Sequence, residues 1–176
     1  GMVVTNDDDT ALRVRRLRAH GDVGRYDHRE LGMNSRLDTL QAAILVVKAG
    51  HLAQWNAARR TRAAAYDDLL ADVGGDLVLP ATQTGNLHTY HQYVIRTRNR
   101  DALARHLNER GIGCAVYYPI PLHLQACFSS LAHRAGDFPA AEAACREVLA
   151  LPLYPELTGG EQAQVADGIR AFYRSV

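Results

Sequence analysis

Lysine is nearly missing from this sequence. Of 20 Lys+Arg residues, Lys48 is the one lysine and nineteen are arginines, so any chemistry that needs a primary amine has a single candidate side chain. Cysteine is scarce as well. Cys114, Cys127 and Cys145 are odd in number and share no metal-type spacing, which argues against a disulfide framework and a zinc site and predicts three buried or half-buried thiols. No apolar stretch approaches the roughly 20 residues needed to cross a bilayer. The start, Gly1-Met2-Val3-Val4-Thr5-Asn6-Asp7, lacks the basic region, apolar run and cleavage site of a secretory signal, so a cytoplasmic protein with no membrane partner is expected. Strong charge of one sign is also absent: the net charge is +1, which favours no polyanionic partner. The densest basic run, Arg13, Arg15, Arg16 and Arg18, follows Asp7 to Asp9 and carries no interleaved aromatics, so it reads as a solvated helix face and not as a nucleic-acid surface. A glycine-rich phosphate loop, a nucleophile elbow and a paired-carboxylate pattern are likewise missing.

What is present is an ordinary globular composition. With 176 residues, 47% hydrophobic and 22% charged, the chain can bury a core and make one domain, or a small domain plus part of another. Met2 to Thr5 reads as a strand that begins abruptly, with no turn before it. A helix capped near Asp9 should follow to about His20, with Gly21 as its stop. Ser35-Arg36-Leu37-Asp38 fits the capping-box pattern, and Leu37, Leu40, Ile44 and Val47, then Leu52, Trp55, Ala63, Tyr66 and Leu70, continue at helical spacing. Gly74-Gly75 ends that long helix, which places a boundary between about Ala71 and Pro80.

Beyond Pro80 strands and helices alternate, as in an α/β or α+β unit. The pattern predicts strands over Tyr90 to Arg96, Cys114 to Tyr118 and Leu151 to Tyr154. Helices are expected over Arg100 to Arg110, closed by Gly111, and from Pro139 to Leu149. Thr158-Gly159-Gly160-Glu161 is a second capping box, opening a helix on which Val165, Ile169 and Phe172 share a face.

Three clusters carry candidate chemistry. Around Gly32 to Asp38 a helix start offers free N–H groups to a phosphate or carboxylate, flanked by the donors of Asn34 and Arg36; most capped helix starts, however, bind only water. Tyr117-Tyr118-Pro119-Ile120-Pro121-Leu122-His123-Leu124-Gln125 is a loop stiffened by two prolines whose rings and donors suit a nucleotide or sugar, with pure packing as the equal alternative. In His88-Thr89-Tyr90-His91-Gln92-Tyr93 the two histidines splay apart on an extended run with no carboxylate nearby, so a metal site is not expected.

Tyr26-Asp27-His28 and the run from Gly32 through Asn34, Ser35, Arg36 and Asp38 to Leu45 resemble the DegT/DnrJ/StrS family of sugar-nucleotide aminotransferases. So do His91 to Arg96, Gly111-Ile112-Gly113, Tyr117 to His123, Phe138-Pro139-Ala140-Ala141-Glu142 and Leu151 to Pro155, in the family's order along nearly the whole chain. The resemblance implies an α/β, fold-type-I enzyme dependent on pyridoxal 5'-phosphate, which passes through pyridoxamine phosphate as it moves an amino group from an amino acid, usually glutamate, to a nucleotide-linked keto-sugar. Residues 1–72 would be the end of the large cofactor domain with its long connecting helix, and residues 73–176 the small C-terminal α/β domain. The implied assembly is a homodimer with shared active sites.

By the same resemblance Asn34 would reach the cofactor phosphate of the partner subunit, while Arg36, Tyr117, Tyr118 and His123 would approach the sugar nucleotide. The lysine that carries the cofactor would lie upstream of Gly1, so no catalytic residue is expected in this chain, which alone would be inactive; Lys48 falls at no position the family uses. A family branch with histidine in place of that lysine dehydrates a deoxysugar, and a non-catalytic interaction module is the alternative from another class. The Tyr117 to His123 loop looks like that of members acting on 3-keto sugars.

Overall fold

A computed structural model describes residues 2–175 of the protein. The helices and strands are α1 (Asp8–Leu17), α2 (Thr39–Leu70), β1 (Tyr93–Arg96), α3 (Arg100–Glu109), α4 (Pro139–Glu147), β2 (Val148–Leu151) and α5 (Gly159–Ser175), with 3-10 turns at Leu122–Leu124 and Ala126–Leu131. One compact unit runs to His51 and a second begins at Leu52.

In the first unit the strand expected at Met2 to Thr5 does not form. These residues are exposed and unpaired with any described strand, and an extended segment without a ladder partner has nothing to hold it as a strand. Within the expected aspartate run it is Asp7 that caps α1, accepting from the Thr10 N–H, and Asp8 and Asp9 at one end with Arg15 and Arg16 at the other oppose the helix dipole. The helix ends at Leu17, before His20, because the chain turns back through positive φ at His20 and Gly21. Backbone bonds from His20 N to Met33 O, Met33 N to Leu17 O and Ser35 N to Arg18 O lay the returning segment along the end of α1. Gly21 is obligatory in that fold-back: its φ is +76° and a Cβ there would sit 1.7 Å from the Glu30 carbonyl oxygen.

The capping box expected at Ser35 is not used. Ser35 is committed to the fold-back through its backbone N–H, and α2 opens at Thr39, where the Asp38 carboxylate accepts from Gln41 N at 2.8 Å. From there α2 runs unbroken through Gly50 to Leu70, since one exposed glycine costs a helix only about 1 kcal/mol. Its early apolar residues Leu40, Ile44, Val46 and Val47 are exposed, whereas Ala63, Tyr66 and Leu70 near its end are buried.

The second unit is built on the antiparallel pair β1 and β2, in the register Tyr93 to Leu151 and Arg96 to Val148. Single bridges from Val78 to Arg96 and from Ala115 to Ala150 widen it on both sides. Three strand expectations shift. The first strand starts at Tyr93, because Tyr90 has φ +47°; Cys114 to Tyr118 makes only the Ala115 bridge; and the last strand is Val148–Leu151, entered directly from α4, in place of Leu151 to Tyr154. The core lies against this sheet: Ile95 and Leu149 from the strands, Leu103 and Leu107 from α3, and Val165, Ile169 and Phe172 from the expected face of α5. Thr158 and Glu161 do form a capping box, with Thr158 N donating to Glu161 Oε2 (2.8 Å) and Glu161 N to Thr158 Oγ1 (3.2 Å). Among the described residues no helix is long and apolar enough to cross a membrane.

Candidate functional site

The sequence-predicted residues fall into two groups, one in each unit. In the first, the fold-back that sets Ala19 opposite Asn34 fixes the Asn34 backbone. Its side-chain Oδ1, as assigned, accepts from Arg36 Nε at 3.2 Å, and Arg36 N stands at the long distance of 3.5 Å. Both residues are exposed. Among the described residues, the Asn34 amide NH2 and the terminal guanidinium nitrogens of Arg36 have no acceptor, so the pair presents several free donors and one positive charge. That donor set fits a phosphate. The donors are these side chains and not the helix start, whose first turn already holds the Asp38 carboxylate.

In the second unit Tyr117, Tyr118 and His123 line one pocket of about 800 Å³, together with Phe128, Phe138 and Cys145. Its walls are overwhelmingly apolar and aromatic, the lining expected of a site that grips rings and sugar faces with few polar groups. The two tyrosine rings meet edge to face with centroids 5.8 Å apart, and Tyr118 is 71% exposed, so both rings are available at the mouth. His123 enters on the 3-10 turn that follows Pro121. Its side chain is only 8% exposed; Nε2 lies 3.1 Å from Glu142 Oε1, and the ring packs 4.8 Å from the Phe138 ring. Phe138 carries His133 as well, at 5.0 Å, and His133 Nδ1 is 3.4 Å from Asp137 Oδ2.

Two carboxyl groups border this pocket in their charged forms. The Gly136 N–H, donating at 2.7 Å, is the main reason that Glu142 is held below the usual carboxylate range, and His123 adds to it. The Arg134 N–H does the same for Asp137, with His133 beside it. Residue-by-residue reading did not single out Glu142, Phe138 or His133 as site residues. The trace available was the Phe138-Pro139-Ala140-Ala141-Glu142 run, since Pro139 at the first turn of α4 places Glu142 in that same turn.

The other candidates are put to structural use. His88 Nδ1 accepts from the Tyr90 N–H at 2.8 Å and its ring lies 4.2 Å from that of Tyr90, which spends it on a turn. A second pocket, of about 520 Å³, is lined by Arg59, His91, Gln92, Cys114 and Tyr117, but Arg59 Nη1 is tied to the carbonyls of Leu153 (2.8 Å), His91 (3.2 Å) and Tyr90 (3.4 Å). Of the three thiols, Cys114 and Cys145 are half-buried and Cys127 is exposed, against the expectation for it, because the 3-10 turn Ala126–Leu131 lies wholly at the surface. No group of three or more His, Cys, Asp or Glu among the described residues is arranged to hold a metal ion.

The fold around these residues is that of the fold-type-I aminotransferases. The chain superimposes on DesV from S. venezuelae, solved in complex with a ketimine intermediate, with a TM-score of 0.91 and 39% identity over 98% of this chain and 46% of that one. It also matches NtdA from Bacillus subtilis with bound cofactor PMP, at TM-score 0.85 and 30% identity over 97% of this chain and 41% of that one. More narrowly, the model of the DegT/DnrJ/EryC1/StrS aminotransferase family matches residues 1–170, and the chain belongs to that family. Relatives include the pleiotropic regulatory protein of Geobacillus stearothermophilus, 49% identical over 99% of this chain and 47% of that protein. The UDP-N-acetyl-3-dehydro-alpha-D-glucosamine 3-aminotransferase of Acidithiobacillus ferrooxidans is 44% identical over 97% of this chain and 45% of its own length. The chain therefore spans a little under half the length of the relatives it matches.

Proposed function

We propose that the protein carrying this chain is a pyridoxal-phosphate-dependent aminotransferase that transfers an amino group from an amino acid, with glutamate as donor, to a nucleotide-linked 3-keto sugar. It works in the cytoplasm as a homodimer with shared active sites. The observation that most supports this reading is the pocket of about 800 Å³ in which Tyr117, Tyr118 and His123 converge on an apolar aromatic wall. Ring faces there match a nucleoside base or sugar, and His123 brings a polar atom to an otherwise apolar lining. Asn34 and Arg36 complement it with free donors for phosphate groups, Asn34 toward the cofactor and Arg36 toward the sugar nucleotide.

When bound, pyridoxal phosphate supplies an aldehyde to take up the amino group and a ring that draws off the electrons of a breaking C–H bond. This chain's residues would bind and orient. Lys48 lies exposed on α2 and belongs to neither group of candidate residues, so we assign the cofactor-bearing lysine to another part of the protein and expect this chain alone to be inactive. Residues 1–72 are read as the end of the cofactor domain with its connecting helix, and residues 73–176 as the small domain.

Replacing Asn34 by Ala in the complete protein should weaken pyridoxal phosphate retention by about tenfold or more, the usual effect of losing a hydrogen bond to a charged group. Tyr118→Ala should raise KM for the nucleotide sugar while leaving cofactor absorbance unchanged. Unchanged cofactor affinity in the first variant and unchanged KM in the second would remove the reading. Lys48→Ala is expected to keep full cofactor binding, and a borohydride-trapped adduct at Lys48 would contradict the assignment.

A further inference from the structure

Glu142 sits where a polar group has no obvious reason to be. It lies in the first turn of α4, and its side chain is 13% exposed beside an apolar pocket. A half-buried carboxylate persists when its oxygens accept hydrogen bonds, and Glu142 Oε1 accepts two: from Gly136 N at 2.7 Å and from His123 Nε2 at 3.1 Å. The first contact ties the 132–138 loop to α4. The second acts on His123.

A carboxylate can only accept. Facing one, the Nε2 of His123 must carry its proton, whatever the state of the rest of the ring. The Phe138 ring, tilted 56° to the imidazole with centroids 4.8 Å apart, and the 3-10 turn that carries His123 restrict the ring further. Nδ1 is then the one polar atom of the ring without a partner among the described residues, and His123 lines the pocket. His133 and Asp137, in the loop before α4, pair with each other at 3.4 Å and do not compete for Nε2, while Tyr117, Tyr118 and Cys145 share the pocket lining.

We infer that Glu142 is a positioning residue for His123: its carboxylate locks the Nε2–H tautomer and the ring orientation, so that Nδ1 is the atom presented to the nucleotide sugar. This deepens the proposed function and rests on the sugar-nucleotide reading of the pocket. It adds a residue that acts through another and need not touch the substrate. The same logic governs carboxylate-supported histidines elsewhere, where the supporting group sets which nitrogen faces outward.

Long-range 1H–15N spectra of the histidine side chains in the complete protein test the lock without any substitution. His123 should show Nε2 protonated, and an Nδ1–H tautomer would overturn the inference outright. Glu142→Gln, which keeps an acceptor for Gly136 N–H but can also donate, should yield a mixed tautomer at His123. KM for the nucleotide sugar should rise about tenfold, as for one lost buried hydrogen bond, with kcat nearly unchanged. Glu142→Asp should restore part of the single-tautomer signature. A Glu142→Gln variant with the tautomer still locked and KM unmoved would refute the positioning role. His123→Ala separates the two readings: if KM does not change there while the spectra confirm the lock, the sugar-nucleotide role of His123 fails and the tautomer lock stands.

Discussion

Asp76 gathers donors from three residues: Arg98 N at 2.6 Å, Thr97 Oγ1 at 2.9 Å and Tyr173 Oη at 3.0 Å. Burial alone would push its carboxyl pKa up, but these donors outweigh it and hold the group below its usual range. Because the folded pKa is depressed, the stabilisation is complete above the unfolded carboxylate pKa near 4 and is lost as pH falls through the folded value. Thermal unfolding followed between pH 6 and 2 should therefore show a steep loss at the acid end, and Asp76→Asn should flatten it. Tyr173, pushed up to about 12 chiefly by burial, works in the opposite direction: its contribution is present below pH 10 and disappears as pH rises through about 12. Gly21 is the residue least open to change. Alanine there would meet the Glu30 carbonyl at 1.7 Å in a left-handed conformation, so Gly21→Ala should displace the whole fold-back, seen as loss of the 20–34 backbone resonances and of Asn34-dependent cofactor retention.

At the level of elements, α5 is held by its cap and by one buried face. Thr158→Ala removes the reciprocal cap and should cost about 1 kcal/mol in chemical denaturation, whereas Ile169→Ala, fully buried against the sheet, should cost about 2–5 kcal/mol. This helix was legible in the sequence because cap, spacing and burial all agree. So was α2, through its long helical period. The elements that shifted are those whose ends depend on distant partners. Val148–Leu151 becomes a strand because Tyr93–Arg96 lies opposite it, and Ser35 gives up capping because its N–H is drawn to Arg18 O; neither contact leaves a local mark. Tyr117, Tyr118 and His123 were readable as a stiff aromatic loop. The supporting Glu142 was not, since it lies 19 positions along the chain from the histidine it meets.

For the molecule as a whole, the unequal treatment of α2 is the most informative feature. Residues Ala63, Tyr66 and Leu70 of this helix are buried by the chain itself, while Leu40 is 79% exposed and Ile44 53% exposed. A run of apolar side chains left open on a helix marks a surface that something else covers, and the homodimer proposed above would supply that cover. Two-fold symmetry would present each residue twice, so one substitution alters two contacts. Fully burying an isoleucine stabilises by about 1.5–3 kcal/mol, so Ile44→Glu should weaken a dimer by at least 100-fold in Kd. Sedimentation velocity on the complete protein across a concentration series should then show monomer where the unsubstituted protein is dimeric. Cofactor retention should fall with it, because Asn34 is assigned to the partner's phosphate. A dimer unmoved by Ile44→Glu would assign this face of α2 to another part of the same chain's protein, and the shared-site arrangement would have to be built without it.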